Sequence, residues 1–244
     1  MIPRIIHYCW FGRNPLPKLA QKCIASWKKF FPDYEIKEWN EDNFDVNIIP
    51  YTQQAYEAKK YAFVSDYARF WILYHYGGVY FDTDVEVIKP MDDIVDRGPF
   101  MGVEVPANED EFPKVAPGLG IGAIPGNDLY KALLEKYSSL FFISKEGSYN
   151  QKTVVAYTTE TLMEFGLRPN NRIQEIGGLW IYPSDYFNPM DSLTGRIQIT
   201  NNTRSIHKYM DSWSDTSRLY KYLSKLSHRF FGMRLSRLRS WLNR

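Results

Sequence analysis

Three observations predict an α/β fold with a mixed sheet. Residues 4–40 read as strand, helix, strand, the opening of a parallel βαβ unit. Apolar runs of strand length then alternate with helix-patterned segments as far as residue 209. No repeat or low-complexity linker interrupts them.

"RIIHYCWF" (4–11) is short and apolar and reads as the first strand, and "NPLP" turns the chain. In "KLAQKCIASWKKFF", Leu19, Cys23, Ile24, Trp27 and Phe30 recur at helical spacing, and Pro32 ends the helix. "YEIKEWN" is the second strand, and a short helix follows near 51–60. "AFVSDYARFWILYHY" (62–76) is apolar nearly all round, which marks a buried helix. Gly77-Gly78 stops it, and "VYFDTDVEVIK" reads as one strand. "PFMGVEV" and "GLGIGAI" read as strands, "DLYKALLEKYSSLF" and "TVVAYTTETLMEFG" as helices. "LWIYPSDYF" and "RIQITNNTRSIHKY" close the body as extended structure.

The 244 residues suffice for one large domain, and an apolar fraction of 44% supports a real core. Eighteen Tyr and seven Trp also provide flat surfaces for planar or sugar-like ligands. Cys9 and Cys23 are too few for a disulfide framework and are expected as free thiols, the cytoplasmic pattern. The first residues show no apolar leader segment, and no run reaches the roughly 18 apolar residues of a membrane span. The net charge of +2 is uneven. Residues 215–244 carry eight Lys and Arg against the single Asp215, which leaves the rest acidic. An acidic body argues against a nucleic-acid partner. Leu219, Leu223, Leu226, Phe230 and Met233, then Leu235, Leu238, Trp241 and Leu242, recur at helical steps among the basic residues. Residues 214–244 are therefore expected as a basic amphipathic helical tail, lying on an anionic membrane surface or packed on the body or a partner.

The chemistry centres on Asp82 and Asp84. Read as a strand, the stretch places Tyr80, Asp82, Asp84 and Glu86 on one face. That face is either solvated or holds a cation. Asp is poorly suited to strands, and two carboxylates this close repel by roughly 1 kcal/mol even in water. A hard divalent cation removes the repulsion and can hold a diphosphate leaving group. Asp66 and Arg69 share one face of the buried helix, either as a structural ion pair or beside a polar ligand. Trp10 ends the first strand, as core packing or as a platform for a base where α/β sheets bind ligands. His207 precedes Ser212 and Trp213 in "SIHKYMDSW".

Through "IPRIIHYCWFG", "SWKKFFPDYEIKEWNEDNFD", "AFVSDYARFWILYHYGGVYFDTDVEVIKPMDDI" and "IHKYMDSW", the chain resembles glycosyltransferase family 32, the DXD sugar-binding glycosyltransferases. The likeness is strongest to their bacterial capsular and exopolysaccharide members. More distantly the chain is similar to the catalytic domains of large glucosylating toxins. The resemblance covers residues 1 to 213 and implies a GT-A catalytic domain there. It implies a retaining hexosyltransferase that moves a sugar from a nucleotide sugar, a UDP-sugar by the toxin analogy, with Mn²⁺ or Mg²⁺. Carried over, Trp10 stacks on the base, and Asp66 and Arg69 hold the donor sugar and its phosphate side. Tyr80 and Asp82 line the ribose and diphosphate, while Asp84 is the main metal ligand with Asp82 helping. His207 falls at a third metal-ligand position, although relatives often read His-His where this chain has His207-Lys208. Ser212 and Trp213 meet the diphosphate, and Asn150 matches an acceptor-side polar residue. The acceptor implied is a glycan or lipid-linked glycan, and the expected place is the cytoplasm or the cytoplasmic face of a membrane. Two other classes stand beside this reading: a non-catalytic carbohydrate-binding module, and a Mg²⁺-dependent phosphotransferase or hydrolase. The chain has no P-loop or kinase motif set, and no second carboxylate pair of the kind a glycosidase uses.

Overall fold

The computed structural model describes residues 1–109, 111–191 and 194–209. Ser212, Trp213 and the expected tail, 214–244, lie outside the described residues. The elements are β1 (Ile5–Cys9), α1 (Lys18–Phe30), β2 (Glu35–Trp39), α2 (Pro50–Glu57), α3 (Tyr61–Tyr76), β3 (Gly78–Tyr80), β4 (Val85–Val87), α4 (Asp92–Val95), β5 (Phe100–Val105), β6 (Lys114–Val115), a 3₁₀ turn (Pro117–Leu119), β7 (Ile121–Ala123), α5 (Asp128–Ser138), α6 (Val154–Glu164), β8 (Gln174–Ile176), β9 (Leu179–Tyr182), α7 (Ser184–Phe187) and β10 (Ser205–His207). The main sheet runs β2-β1-β3-β7-β5-β9-β8, with β6 also on β5. β1 lies parallel to both β2 and β3, whereas β7 is antiparallel to β3 and β5, so the sheet is mixed as expected.

Both faces of this sheet are covered, which is why its strands carry apolar residues in succession. Ile6, Tyr8, Val79 and Phe100 point into a core with α1, α4 and α7. Cys9, Tyr80, Met101 and Val103 point into the other, with α2, α3, α5 and α6. Trp27 of α1 is fully buried, and its Nε1–H donates to the Val85 carbonyl at 2.8 Å, pinning α1 on β4. Burial of a side chain this size contributes on the order of 3 kcal/mol. α3 is buried along most of its length, as its all-round apolar pattern requires.

The expected single strand across 79–89 is corrected. Ladder pairing stops at Tyr80, the chain turns through Thr83 and Asp84, and β4 then pairs with β10 in a separate two-stranded sheet. The turn is closed by Val85 N–H donating to Asp82 O at 3.0 Å, while Asp82 N–H donates to Gly118 O at 3.2 Å. Two aspartates interrupt the run, as their poor fit to a ladder predicts. Two further expectations of extended structure are also corrected. After Pro183, residues 184–187 form a helical turn. In 196–209 only Ser205–His207 is strand. Thr200, Asn202 and Thr203 instead bond one another and Asp185, competing with any ladder.

Candidate active site

β1 and β3 are parallel neighbours, with His7 opposite Tyr80. Their carboxyl ends therefore release Trp10 and the Asp82–Asp84 turn side by side, at the edge where α/β sheets bind ligands. The handover from α3 to β3 depends on Gly77 and Gly78, both at positive φ. A Cβ on Gly78 would lie 2.7 Å from Ile5 O and 2.9 Å from the His7 ring.

Arg69 is the hub of the cluster. Its Nη2 lies 2.9 Å from Asp66 Oδ1 and 3.2 Å from Asp82 Oδ1, and its Nε–H donates to Ser65 O. The guanidinium sits 5.1 Å from the centre of the Tyr80 ring, whose hydroxyl donates to Asp82 Oδ1 at 3.0 Å. Asp66 and Arg69 are buried, while the Asp82 side chain keeps 29% of its surface open. The helix pair is thus joined to the acidic turn. Burial lifts the Asp66 carboxyl to about 7 against the pull of Arg69. Asp82 is also raised, by burial and by the Asp84 charge, with Arg69 opposing.

Asp84 is buried. Its Oδ1 lies 3.1 Å from His207 Nε2, and its carbonyl accepts from Lys208 N–H at 3.0 Å. Burial alone lowers the basicity of His207, but the Asp84 carboxylate outweighs it and raises the imidazole. Among the described residues His207 Nδ1 is buried without a hydrogen-bond partner. Lys208 and Lys22 both pair with Glu86, at 2.7 and 3.0 Å, so Glu86 supports the structure.

The donor set of Asp84 oxygen, His207 nitrogen and the partly open Asp82 carboxylate suits a hard divalent cation. Among the described residues no group of three or more His, Cys, Asp or Glu is gathered to hold a metal.

The Trp10 ring is half-buried, with Nε1–H donating to Asn14 O at 2.6 Å. Asn150 is placed by Tyr157, to whose hydroxyl its Nδ2 donates at 2.9 Å, and its Oδ1 accepts from Lys152 N–H. Its hydrogen bonds tie it to the α6 region rather than to the acidic turn. Gly118 escaped the sequence reading. Its carbonyl accepts from Asp82, and a Cβ there would run into Asp82 Oδ2. The only signal in the sequence was a glycine-rich run read as strand. Burial pushes the Cys9 thiol, beside Tyr80, up to about 12, so it is no nucleophile at neutral pH.

The domain thus presents a covered mixed sheet with an acidic turn and a buried Arg at its carboxyl edge. Residues 17–101 match the family described as "Glycosyltransferase sugar-binding region containing DXD motif". Through this region, which holds Asp66, Arg69, Asp82 and Asp84, the chain is similar to the DXD glycosyltransferases.

The chain is 31% identical over 111 residues to inositol phosphoceramide mannosyltransferase 1 of Schizosaccharomyces pombe, covering 41% of this chain and 33% of that protein. It thus spans about a third of that relative's length. It is 26% identical over 196 residues to the uncharacterized glycosyltransferase L373 of Acanthamoeba polyphaga mimivirus, covering 77% and 76%. Among solved structures it is similar to a glycosyltransferase involved in the glycosylation of the major capsid of PBCV-1, at 12% identity, TM-score 0.50 and 90% and 97% coverage. The PaToxG glycosyltransferase aligns with TM-score 0.50, 19% identity and 67% and 69% coverage. The fold is thus the expected GT-A type.

Proposed function

We propose that this chain is a retaining hexosyltransferase, transferring a sugar from a nucleotide-sugar donor to a glycan or lipid-linked hydroxyl. The observation that carries this reading is the Asp82–Asp84 turn, held between Arg69 and His207 at the carboxyl end of β3. Asp84 and His207, with Asp82, would hold Mn²⁺ or Mg²⁺. When bound, such an ion supplies positive charge against the donor diphosphate and stabilises it as a leaving group. The protein's own residues do the rest. Trp10 stacks on the base. Tyr80 and Asp82 line the ribose side, and Arg69 and Asp66 grip the sugar and its phosphate. Ser212 and Trp213 complete the diphosphate side, and Asn150 serves the acceptor side.

Transfer then breaks the bond between the anomeric carbon and the phosphate oxygen. The bond to the acceptor oxygen forms on the same face, and the acceptor proton passes to the departing diphosphate. UDP is the nucleotide we favour, by analogy with the toxins. A capsular or exopolysaccharide product and a site at the cytoplasmic membrane face belong to the same proposal. In it, residues 1–213 form the catalytic domain and 214–244 the basic membrane-contacting tail. Among the described residues no helix is long and apolar enough to cross a membrane.

Calorimetry with UDP, with and without Mn²⁺, followed by donor hydrolysis over UDP- and GDP-sugars, tests the donor site. Tight UDP binding only with metal supports it. Indifference to both nucleotides, with sugar binding intact, would make the chain a carbohydrate-binding module. Co-sedimentation with anionic liposomes, full chain against residues 1–214, tests the tail, and equal sedimentation removes the membrane role.

A further inference from the structure

Two residues beyond His207 stands Tyr209, which the donor-site reading leaves unused. Its φ is +49°, the left-handed region where a side chain larger than glycine is strained. Such strain persists only where the surroundings hold it in place. Here the phenol donates to the Glu104 carboxylate and accepts from the Asn188 amide. Asn188 Nδ2 also donates to the Glu104 carbonyl at 3.0 Å, so the two partners are themselves joined. The Tyr209 ring meets the His207 imidazole edge-on, with centroids 4.4 Å apart and planes at 68°. His207 is therefore gripped from two sides, by Asp84 at Nε2 and by the Tyr209 ring. With Nδ1 lacking a hydrogen-bond partner among the described residues, the ring contact orients the imidazole in place of such a bond.

We propose that Tyr209 is a positioning residue: clasped by Glu104 and Asn188, it fixes the His207 ring so that Nε2 is presented beside Asp84 to a divalent cation. This rests on the metal-assisted reading given above. Groups that orient a metal-binding imidazole commonly change metal affinity by about tenfold to a hundredfold. A ring contact backed by two hydrogen bonds belongs at the lower end of that range. Glu104 closes the far end of β5, so the clasp also ties the imidazole to the main sheet rather than only to the two-stranded one.

The test uses the full chain and its Tyr209→Phe and Tyr209→Ala variants. Mn²⁺ binding is measured by calorimetry at saturating UDP, and UDP binding is measured again without metal. Tyr209→Ala should weaken Mn²⁺ by about tenfold and Tyr209→Phe, which keeps the ring and loses the clasp, by about threefold. Metal-free UDP affinity should stay within twofold in both. In metal-free protein the ring protons of His207, one of four histidines, should shift in Tyr209→Ala as the neighbouring ring current is lost. Mn²⁺ affinities within twofold across all three proteins, with Asp84→Asn abolishing Mn²⁺ binding, would overturn this inference and leave the donor-site reading standing. A wild-type chain whose UDP binding ignores Mn²⁺ overturns both.

Discussion

Arg69 Nη2 reaches Asp82 Oδ1 at 3.2 Å while holding Asp66 Oδ1 at 2.9 Å, so one buried guanidinium joins helix α3 to the acidic turn. Nη2 serves both carboxylates while Nε–H donates to Ser65 O, a combination that a rigid guanidinium holds in place and a flexible ammonium does not. Arg69→Lys keeps the charge and loses the bridge, and it should lower kcat/KM by about a hundredfold. Arg69→Met leaves the buried Asp66 and the partly open Asp82 carboxylate without their cation, and denaturant unfolding near neutral pH should show a loss of about 3 kcal/mol. Wild-type stability in Arg69→Met would show that the bridge does not hold α3 to the turn.

Asp84→Asn keeps the shape of the turn and removes the charge facing His207. Transfer should fall by at least about a thousandfold, and Mn²⁺-dependent UDP binding should vanish, with the melting midpoint within a few degrees of wild type. Full activity that still requires metal would refute the assignment of Asp84.

Gly118→Ala places a methyl group against Asp82 Oδ2, within 3.4 Å of Arg69 Nη1. The carboxylate must then move off its Arg69 and Tyr80 contacts. Activity should drop by about tenfold or more, with KM for the donor rising, while circular dichroism stays native. Unchanged kinetics would mean that the turn shifts without cost.

Trp10→Ala should weaken nucleotide binding by about tenfold, the equivalent of one lost base stack, while Trp10→Phe retains most of it. The ring is only half-buried, so stability should change less than binding. An unfolded Trp10→Ala protein would instead make Trp10 a core residue.

His7 carries a pH dependence of stability. Its ring is buried, with Nδ1 accepting from Trp39 and Nε2–H donating to Gly77 O, and burial lowers its basicity to about 4. The unfolded chain takes up this proton near pH 6.5, well before the fold does. The contribution is therefore complete above pH 6.5 and is lost as pH falls toward 4, on the order of 3 kcal/mol. Asp66 works in the opposite sense. Its raised pKa favours the fold at low pH, and that contribution fades as pH rises through 7. Comparing the pH slope of unfolding free energy between wild type and His7→Gln isolates His7, since Asp66 is common to both. Equal slopes would show that His7 is not the group responsible.

The sequence by itself determined the α/β class, the βαβ opening and the burial of α3, and it singled out the acidic and aromatic residues as candidates. These follow from local periodicity, turn residues and motif spacing, which need no partner from elsewhere in the chain. It also placed Asp66 and Arg69 on one helix face, because helical geometry makes i and i+3 neighbours.

Only the tertiary structure decided where the acidic pair points. A strand period would set Asp82 and Asp84 on the same face. The turn at 83–84 instead breaks the strand, giving Asp82 to Arg69 and Tyr80 and Asp84 to His207 while the two carboxylates stay close enough to interact. The partners responsible lie up to 123 residues away from Asp84 along the chain, and Gly118 approaches from a separate 3₁₀ turn. No local pattern encodes such contacts, because they depend on which strand ends the sheet order brings together.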